Sequence, residues 1–150
     1  MKRVYLAGFD VFYPDAVQRG AKMKLACAEH GLIGLYPFDN EADNPKDIFE
    51  GNLSFIRQAD IVIANLNPFR GQEMDSGTAF EIGYAHALGK EIWGYLDDDT
   101  PMRERLGKTD AEGFSVENFG YPVNLMIAQP SHIVRGTFFD CLRALSRAGA

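Results

Sequence analysis

Short apolar runs alternate along this chain with longer amphipathic stretches. Five runs predict buried β-strands over residues 4–7, 32–36, 60–66, 91–95 and 133–134. The stretches between them predict helices over about 15–29, 45–58, 77–88 and 138–146. In the second helix, apolar residues recur at helical spacing and predict a core-facing side made of Ile48, Phe49, Leu53, Ile56 and Ala59.

Strands that alternate with helices predict βαβ units, and therefore a parallel sheet with right-handed crossovers. We predict a doubly wound, flavodoxin-like α/β fold with strand order 2-1-3-4-5 and helices on both faces. This order opens a crevice at the carboxyl ends of the first and third strands, where such sheets bind ligands. Residues 97–116 read as irregular, with one helical turn near 102–106, and residues 119–129 fit either a helix or a strand.

Composition narrows the class of protein. A chain of 150 residues predicts one domain over residues 1–150, and a net charge of −6 without a basic run argues against nucleic-acid and membrane surfaces. Cys27 and Cys141 have no metal-type spacing to any histidine, which predicts small buried side chains in a reducing compartment. Met1-Lys2-Arg3 leads directly into a strand, so we expect a cytoplasmic protein.

Two carboxylates follow the third strand and are the strongest candidates for chemistry. A glutamate in the crevice, Glu81, can be a nucleophile, and Asp75 can hold substrate or move protons. Structural interpretations stay open for both, because Thr78 and Glu81 fit a capping box and Asp75 fits an N-cap. Gly77 allows a bend between the two carboxylates. We expect the helix dipole to keep Glu81 ionised.

Further candidates surround the predicted crevice. Gly8 lets a ligand approach the backbone, and Phe12 is either a stacking residue or a core residue. Tyr5 either packs in the first strand or reaches a carboxylate on the third helix. The segment Asp39-Asn40-Glu41 after the second strand either hydrogen-bonds the polar edge of a ligand or is a solvated turn. Asn124 either caps its own segment or reaches the site of another subunit.

The chain lacks the glycine-rich fingerprints of dinucleotide sites and P-loops. It resembles instead the nucleoside 2-deoxyribosyltransferase family, through five motifs that occur in family order and span nearly the whole chain. These motifs are Tyr5-Leu6-Ala7-Gly8 with Val11-Phe12, Pro37-Phe38-Asp39-Asn40-Glu41, Asp60 through Gly71, Asp75-x-Gly77-Thr78-Ala79-Phe80-Glu81-x-Gly83-x-Ala85, and Phe119-Gly120-x-Pro122-x-Asn124-Leu125-Met126.

The resemblance implies transfer of a deoxyribosyl group between nucleobases by double displacement, without a metal or cofactor. Glu81 matches the nucleophile, which forms a deoxyribosyl ester before a second base takes the sugar with retained configuration. Tyr5 matches the hydroxyl that orients this nucleophile, and Asp75 matches the anchor of the sugar hydroxyls. Phe12 matches a wall of the base pocket, and we predict Gly8 and Gly77 as further substrate-binding residues.

The resemblance also implies partners: 2′-deoxynucleosides, free purine or pyrimidine bases, and further copies of the chain. Asn124 and Met126 match residues that a neighbouring subunit supplies, so a complete site would need a homo-oligomer. One departure concerns the proton for the leaving base. Some members carry an aspartate on the second helix, where this chain has Asn52, and Asp39 is the substitute donor that we predict.

Two other functions remain open on the sequence. A related hydrolase would cleave deoxynucleoside 5′-monophosphates with the same fold and nucleophile. Asn124 stands where such hydrolases tend to carry serine, which favours a substrate with a free 5′-hydroxyl. A non-catalytic nucleotide-binding module would not require Glu81, Asp75 and Tyr5 to converge.

Overall fold

A five-stranded parallel sheet organises the computed structural model, which describes residues 1–149. The strands are β1 (Arg3–Ala7), β2 (Ile33–Leu35), β3 (Ile61–Asn65), β4 (Glu91–Leu96) and β5 (Ser131–Arg135). Their order is β2-β1-β3-β4-β5, and every neighbouring pair is parallel. The predicted order is therefore confirmed, with the crevice between β1 and β3.

Within residues 1–149, five helices lie between the strands and a sixth follows the last strand. They are α1 (Ala16–Glu29), α2 (Pro45–Gln58), α3 (Ser76–Ala87), α4 (Met102–Leu106), α5 (Leu125–Ala128) and α6 (Phe138–Arg147). Short 3₁₀ turns over Phe9–Phe12 and Pro37–Asp39 follow β1 and β2. The apolar stretch over 119–129, which the sequence left undecided, is helical only over Leu125–Ala128.

The two faces of the sheet carry separate apolar cores because side chains alternate along each strand. On β1, Val4 and Leu6 pack with α1 and α6, and Tyr5 and Ala7 pack with α2 and α3. Tyr5 lies opposite Val62 of β3 in the register of the sheet. The alternation therefore directs the Tyr5 side chain toward the face that carries α3.

The apolar stripe of α2 does not all enter the core. Ile56 and Ala59 are fully buried, whereas Ile48 is 41% exposed and Phe49 is 49% exposed. The prediction of a core-facing side is therefore wrong for the first turn of the helix. Its apolar side chains there line a cavity, and only the C-terminal half packs against the sheet.

Polar side chains tie three strands together at their carboxyl ends. The buried Asp10 carboxylate accepts hydrogen bonds from Arg19 Nη2 at 3.2 Å and from Asn65 Nδ2 at 3.1 Å. Asn67 Nδ2 donates to Asn65 Oδ1 at 2.9 Å, and the Asp97 backbone N–H donates to Asn67 Oδ1 at 2.8 Å. Because these particular polar side chains each have a partner, their chain of hydrogen bonds fixes the loops that border the crevice.

Both cysteines are buried free thiols, as predicted. Cys27 packs on α1 and Cys141 on α6, within the same core. Over residues 1–149, no helix is long and apolar enough to cross a membrane.

Truncation of a core leucine tests the α1 and α6 side of the sheet. Leu142 is fully buried, so Leu142→Ala should lower the free energy of unfolding by about 2–5 kcal/mol in urea titrations. Leu25→Ala is the matched control, because Leu25 is 62% exposed and its truncation should change stability by less than about 0.5 kcal/mol. Equal losses in the two variants would contradict this core.

Candidate active site

A cavity of about 650 Å³ opens at the carboxyl edge of the sheet. Its walls come from the loop after β1, the turn after β2, the first half of α2 and the start of α3. Most of the lining is apolar and includes four phenylalanine rings, and its polar side chains are Asn40, Asn52, Asp75 and Glu81. A mostly apolar cavity with a few converging polar groups is the usual form of a small-molecule site.

The Tyr5 hydroxyl donates a hydrogen bond to Oε2 of Glu81, which lines the cavity. Tyr5 is fully buried on β1, and Glu81 lies in the second turn of α3. The predicted capping box is wrong, because Asp75 is the N-cap and Thr78 occupies the third helical position. Glu81 therefore does not close its own helix end, and its carboxylate faces the cavity.

Burial raises the pKa of Glu81 to about 7. The hydrogen bond from Tyr5 lowers this pKa, and the negative charge of Asp75 raises it, but both effects are smaller than that of burial. Glu81 lies beyond the first turn of α3, where the helix dipole has little effect, and burial therefore sets its pKa instead of the dipole that the sequence suggested. Burial also raises the pKa of Tyr5, so this hydroxyl remains a donor.

Asp75 is the N-cap of α3 and also lies at the cavity, so its structural interpretation is confirmed and its predicted role with substrate stays a prediction. Its Oδ2 accepts hydrogen bonds from Thr78 N–H at 3.1 Å and from Thr78 Oγ1 at 2.7 Å, which caps α3. The same residue lines the cavity. Since both bonds use one oxygen, the carboxylate retains a second oxygen for a ligand.

Other predicted residues also line the cavity, namely Gly8, Phe12, Asn52 and Gly77. Phe12 is 58% exposed, so its interpretation as a core residue is wrong. Asn52 Oδ1 is buried without a hydrogen-bond partner among the described residues. A buried acceptor in this state requires a donor from water or a ligand.

The structure does not bring Asp39 into the cavity. Its Oδ1 accepts a hydrogen bond from Lys24 Nζ at 2.7 Å, and its Oδ2 accepts one from the Tyr36 backbone N–H at 2.9 Å. Both oxygens are thus engaged in closing the turn after β2, which corresponds to the structural interpretation. The position of Asp39 gives no support to its predicted role as a proton donor.

Asn124 and Met126 also lie outside the cavity of their own chain. Asn124 is the N-cap of α5, and its Oδ1 accepts a hydrogen bond from the Met126 N–H at 2.8 Å. Met126 is 73% exposed. The local cap is thus present, and both side chains are open to a neighbouring molecule.

Sequence reasoning missed several aromatic residues of the cavity. Phe49 and Phe80 line it with ring centroids 5.9 Å apart, and Phe38 contributes a further ring. Helical spacing assigned Phe49 to the core, and Phe80 is adjacent to the candidate nucleophile without any distinguishing pattern. Of the predicted segment Asp39-Asn40-Glu41, Asn40 lines the cavity and its two neighbours do not, a choice that the turn geometry decides.

Comparison with known proteins agrees with this site. The family model for nucleoside 2-deoxyribosyltransferase matches residues 4–126. The chain belongs to the nucleoside 2-deoxyribosyltransferase family. The solved structure of a 2-deoxyribosyltransferase from Leishmania mexicana superimposes with a TM-score of 0.91 and 37% identity, over 100% of both chains.

Two further comparisons give a relative by sequence and a solved structure that shares the fold. An uncharacterized protein of Schizosaccharomyces pombe is 34% identical over 113 residues, which are 69% of this chain and 54% of that protein. The chain thus spans about half the length of this curated relative. A CMP N-glycosidase from Clostridium botulinum shares the fold, with a TM-score of 0.59 and 21% identity over 98% of this chain and 99% of that one.

The balance of effects on Glu81 in this deoxyribosyltransferase family member can be tested by substitution. Tyr5→Phe removes the hydrogen bond that lowers the Glu81 pKa, so this pKa should rise above about 7. Asp75→Asn removes the negative charge that raises it, so the pKa should fall, and asparagine still caps α3. Carboxyl ¹³C NMR titration measures both shifts.

Tyr84→Phe is the control for this titration. Tyr84 also lies on α3, but its hydroxyl contacts Arg57 and not Glu81. Its substitution should leave the Glu81 pKa unchanged. An unchanged pKa in Tyr5→Phe would contradict the hydrogen bond.

Proposed function

We propose that this chain transfers the 2-deoxyribosyl group between nucleobases by retaining double displacement through an ester on Glu81. The hydrogen bond from buried Tyr5 to Glu81 carries this proposal, because it holds a carboxylate at the wall of a ligand-sized cavity. Membership of the nucleoside 2-deoxyribosyltransferase family supports the substrate class. In a cell, the reaction would serve nucleoside salvage in the cytoplasm.

In the first half-reaction, the anomeric carbon of a 2′-deoxynucleoside lies next to Glu81. The C–N bond to the base breaks, positive charge develops on the sugar, and ionised Glu81 forms the new C–O bond. The absence of a 2′-hydroxyl makes this cation easier to form. Asp75 accepts a hydrogen bond from a sugar hydroxyl through the oxygen that its cap leaves unused.

The base binds against the aromatic side of the cavity, with Phe12 as one wall. Asn52 donates to and accepts from its polar edge, and its buried Oδ1 then gains a partner. An amide is not an acid, so Asn52 orients the base and the proton for its departure comes from another group. In the second half-reaction, a new base attacks the anomeric carbon on the face that the first base left, and the bond from this carbon to Glu81 breaks, so the two inversions together retain the configuration.

Transfer also requires exclusion of water, since water would hydrolyse the ester. In the single chain, Phe12 is 58% exposed and Phe80 is 54% exposed, so the cavity is open to solvent. We propose that a neighbouring subunit covers it and supplies Asn124 and Met126, which are exposed on their own chain. Asn124 would bind a sugar hydroxyl across this contact, and the active form would be a homo-oligomer.

Removal of the nucleophile is the direct test. Wild-type protein with 2′-deoxyinosine and adenine or cytosine should give a new deoxynucleoside by chromatography, and Glu81→Ala should lose at least about a thousandfold in rate. Glu73→Ala, which changes an exposed glutamate two residues before the α3 cap, should retain wild-type activity. Full activity in Glu81→Ala would refute the mechanism.

The same assay separates the alternatives. Release of free deoxyribose without a new nucleoside would indicate a hydrolase. Cleavage restricted to deoxynucleoside 5′-monophosphates would indicate the N-hydrolase. Absence of reaction with every substrate would favour a binding module.

Subunit mixing tests the shared site. Glu81→Ala and Asn124→Ala should each be inactive alone, and mixed oligomers should recover about a quarter of the wild-type activity, since random assembly restores that share of sites. A mixture of Glu81→Ala with Glu81→Gln is the control, because no arrangement of these subunits contains the nucleophile. A mixture no more active than its components would contradict the exchange of Asn124 between subunits.

A further inference from the structure

The Phe12 wall of the cavity belongs to a stack of three aromatic rings. Phe69 lies between the other two, with its ring centroid 4.8 Å from that of Phe9 and 5.4 Å from that of Phe12. Both pairs are close to parallel, with interplanar angles of 11° and 13°. Phe9 is buried at one end, whereas Phe12 is exposed at the cavity end. The core surrounds the Phe9 ring, whereas the position of the exposed Phe12 ring depends on the side chains that contact it beside the cavity.

A small hairpin after β3 brings Phe69 to this stack. Pro68 and Met74 form an antiparallel bridge, and the Phe69 N–H donates to the Glu73 carbonyl at 2.9 Å. Arg70 follows at the tip of the hairpin with φ of 55°, in the left-handed region that residues other than glycine rarely occupy. Non-glycine residues held in this region cluster at functional sites.

The Arg70 guanidinium lies against two rings of the stack, Phe69 and Phe12. Its Cζ is 5.0 Å from the Phe12 ring centroid and 4.5 Å from the Phe69 ring centroid, within the range of cation–π attraction. Within residues 1–149, no ion pair involves Arg70. The guanidinium is therefore not held by a carboxylate, and it contacts the Phe12 and Phe69 rings.

We infer that Arg70 is a positioning residue, which holds the Phe12 ring in place as the wall against which a flat nucleobase stacks. The stacking of a nucleobase on Phe12 rests on the proposed function, whereas the effect of Arg70 on the position of the Phe12 ring does not. Arg70 acts through Phe12 and does not line the cavity itself. Because the wall contacts the base equally before and during the reaction, loosening it should raise KM and leave kcat nearly unchanged.

Kinetics of the variants test this division. Arg70→Gln should raise the KM for the base about twofold to fivefold, as expected for loss of one exposed cation–π contact. Arg70→Lys keeps the charge but lacks the planar guanidinium, so its KM should lie between those of wild type and Arg70→Gln. Arg147→Gln, an exposed arginine on α6, is the control and should change neither parameter.

A double-mutant cycle decides whether Arg70 acts through Phe12. Phe12→Leu should raise KM, and adding Arg70→Gln to it should bring no further increase. Additive increases would overturn the inference, because they would mean that Arg70 contacts the substrate independently. A fall in kcat with constant KM would overturn it as well.

A ring measurement keeps the test independent of activity. In protein with ¹³C-labelled phenylalanine rings, the Phe12 signal is identified by its absence in Phe12→Leu. Arg70→Gln should shift this signal, and Arg147→Gln should not. An unchanged Phe12 signal in Arg70→Gln would overturn the inference whether or not the chain is a transferase, whereas an inactive wild type with a shifted signal would refute only the proposed function.

Discussion

The bond between Tyr5 and Glu81 is the constraint on which the site depends. The Glu81 carboxylate loses hydration because it lies against the apolar core between the sheet and helices α2 and α3. The rise of its pKa to about 7 reflects that loss. The hydroxyl of Tyr5, which is fully buried on β1, compensates for part of this lost hydration through one hydrogen bond. That bond also restricts the carboxylate to one orientation at the cavity wall. The sheet, through β1, thereby positions a group on the helix that follows β3.

Periodicity allowed the contact between Tyr5 and Glu81 but did not by itself predict it. Alternation along β1 sends Tyr5 to the face opposite Val4 and Leu6, and the order 2-1-3-4-5 sets β1 beside β3. Buried parallel strands form apolar runs, so the strands could be inferred without coordinates, whereas their order was chosen from the common orders of doubly wound sheets. On the strand pattern alone Tyr5 could equally be a packing residue, and the family resemblance was what marked Tyr5 and Glu81 as a pair.

Turns and helix ends were not predictable in this way. Asp39 and Asn40 are adjacent, and only the 3₁₀ geometry after β2 decides which of them faces the cavity. Likewise, Thr78 and Asp75 are both good N-caps, and the choice between them moves Glu81 from the first helical turn to the second. Ile48 and Phe49 obey helical spacing yet line the cavity, because spacing defines a side of a helix and not what covers it.

A raised pKa and a nucleophile that must be ionised are compatible in the proposed reaction. A buried anion is unfavourable in the free protein, but a sugar that develops positive charge beside it replaces the lost hydration. The attraction grows as the C–N bond breaks, so the anion is stabilised more in the transition state than before it. The basicity that burial confers on Glu81 also favours its bond to carbon. In the proposed reaction, burial of Glu81 would therefore be part of the chemistry, provided that the cavity is closed to water when the sugar is bound.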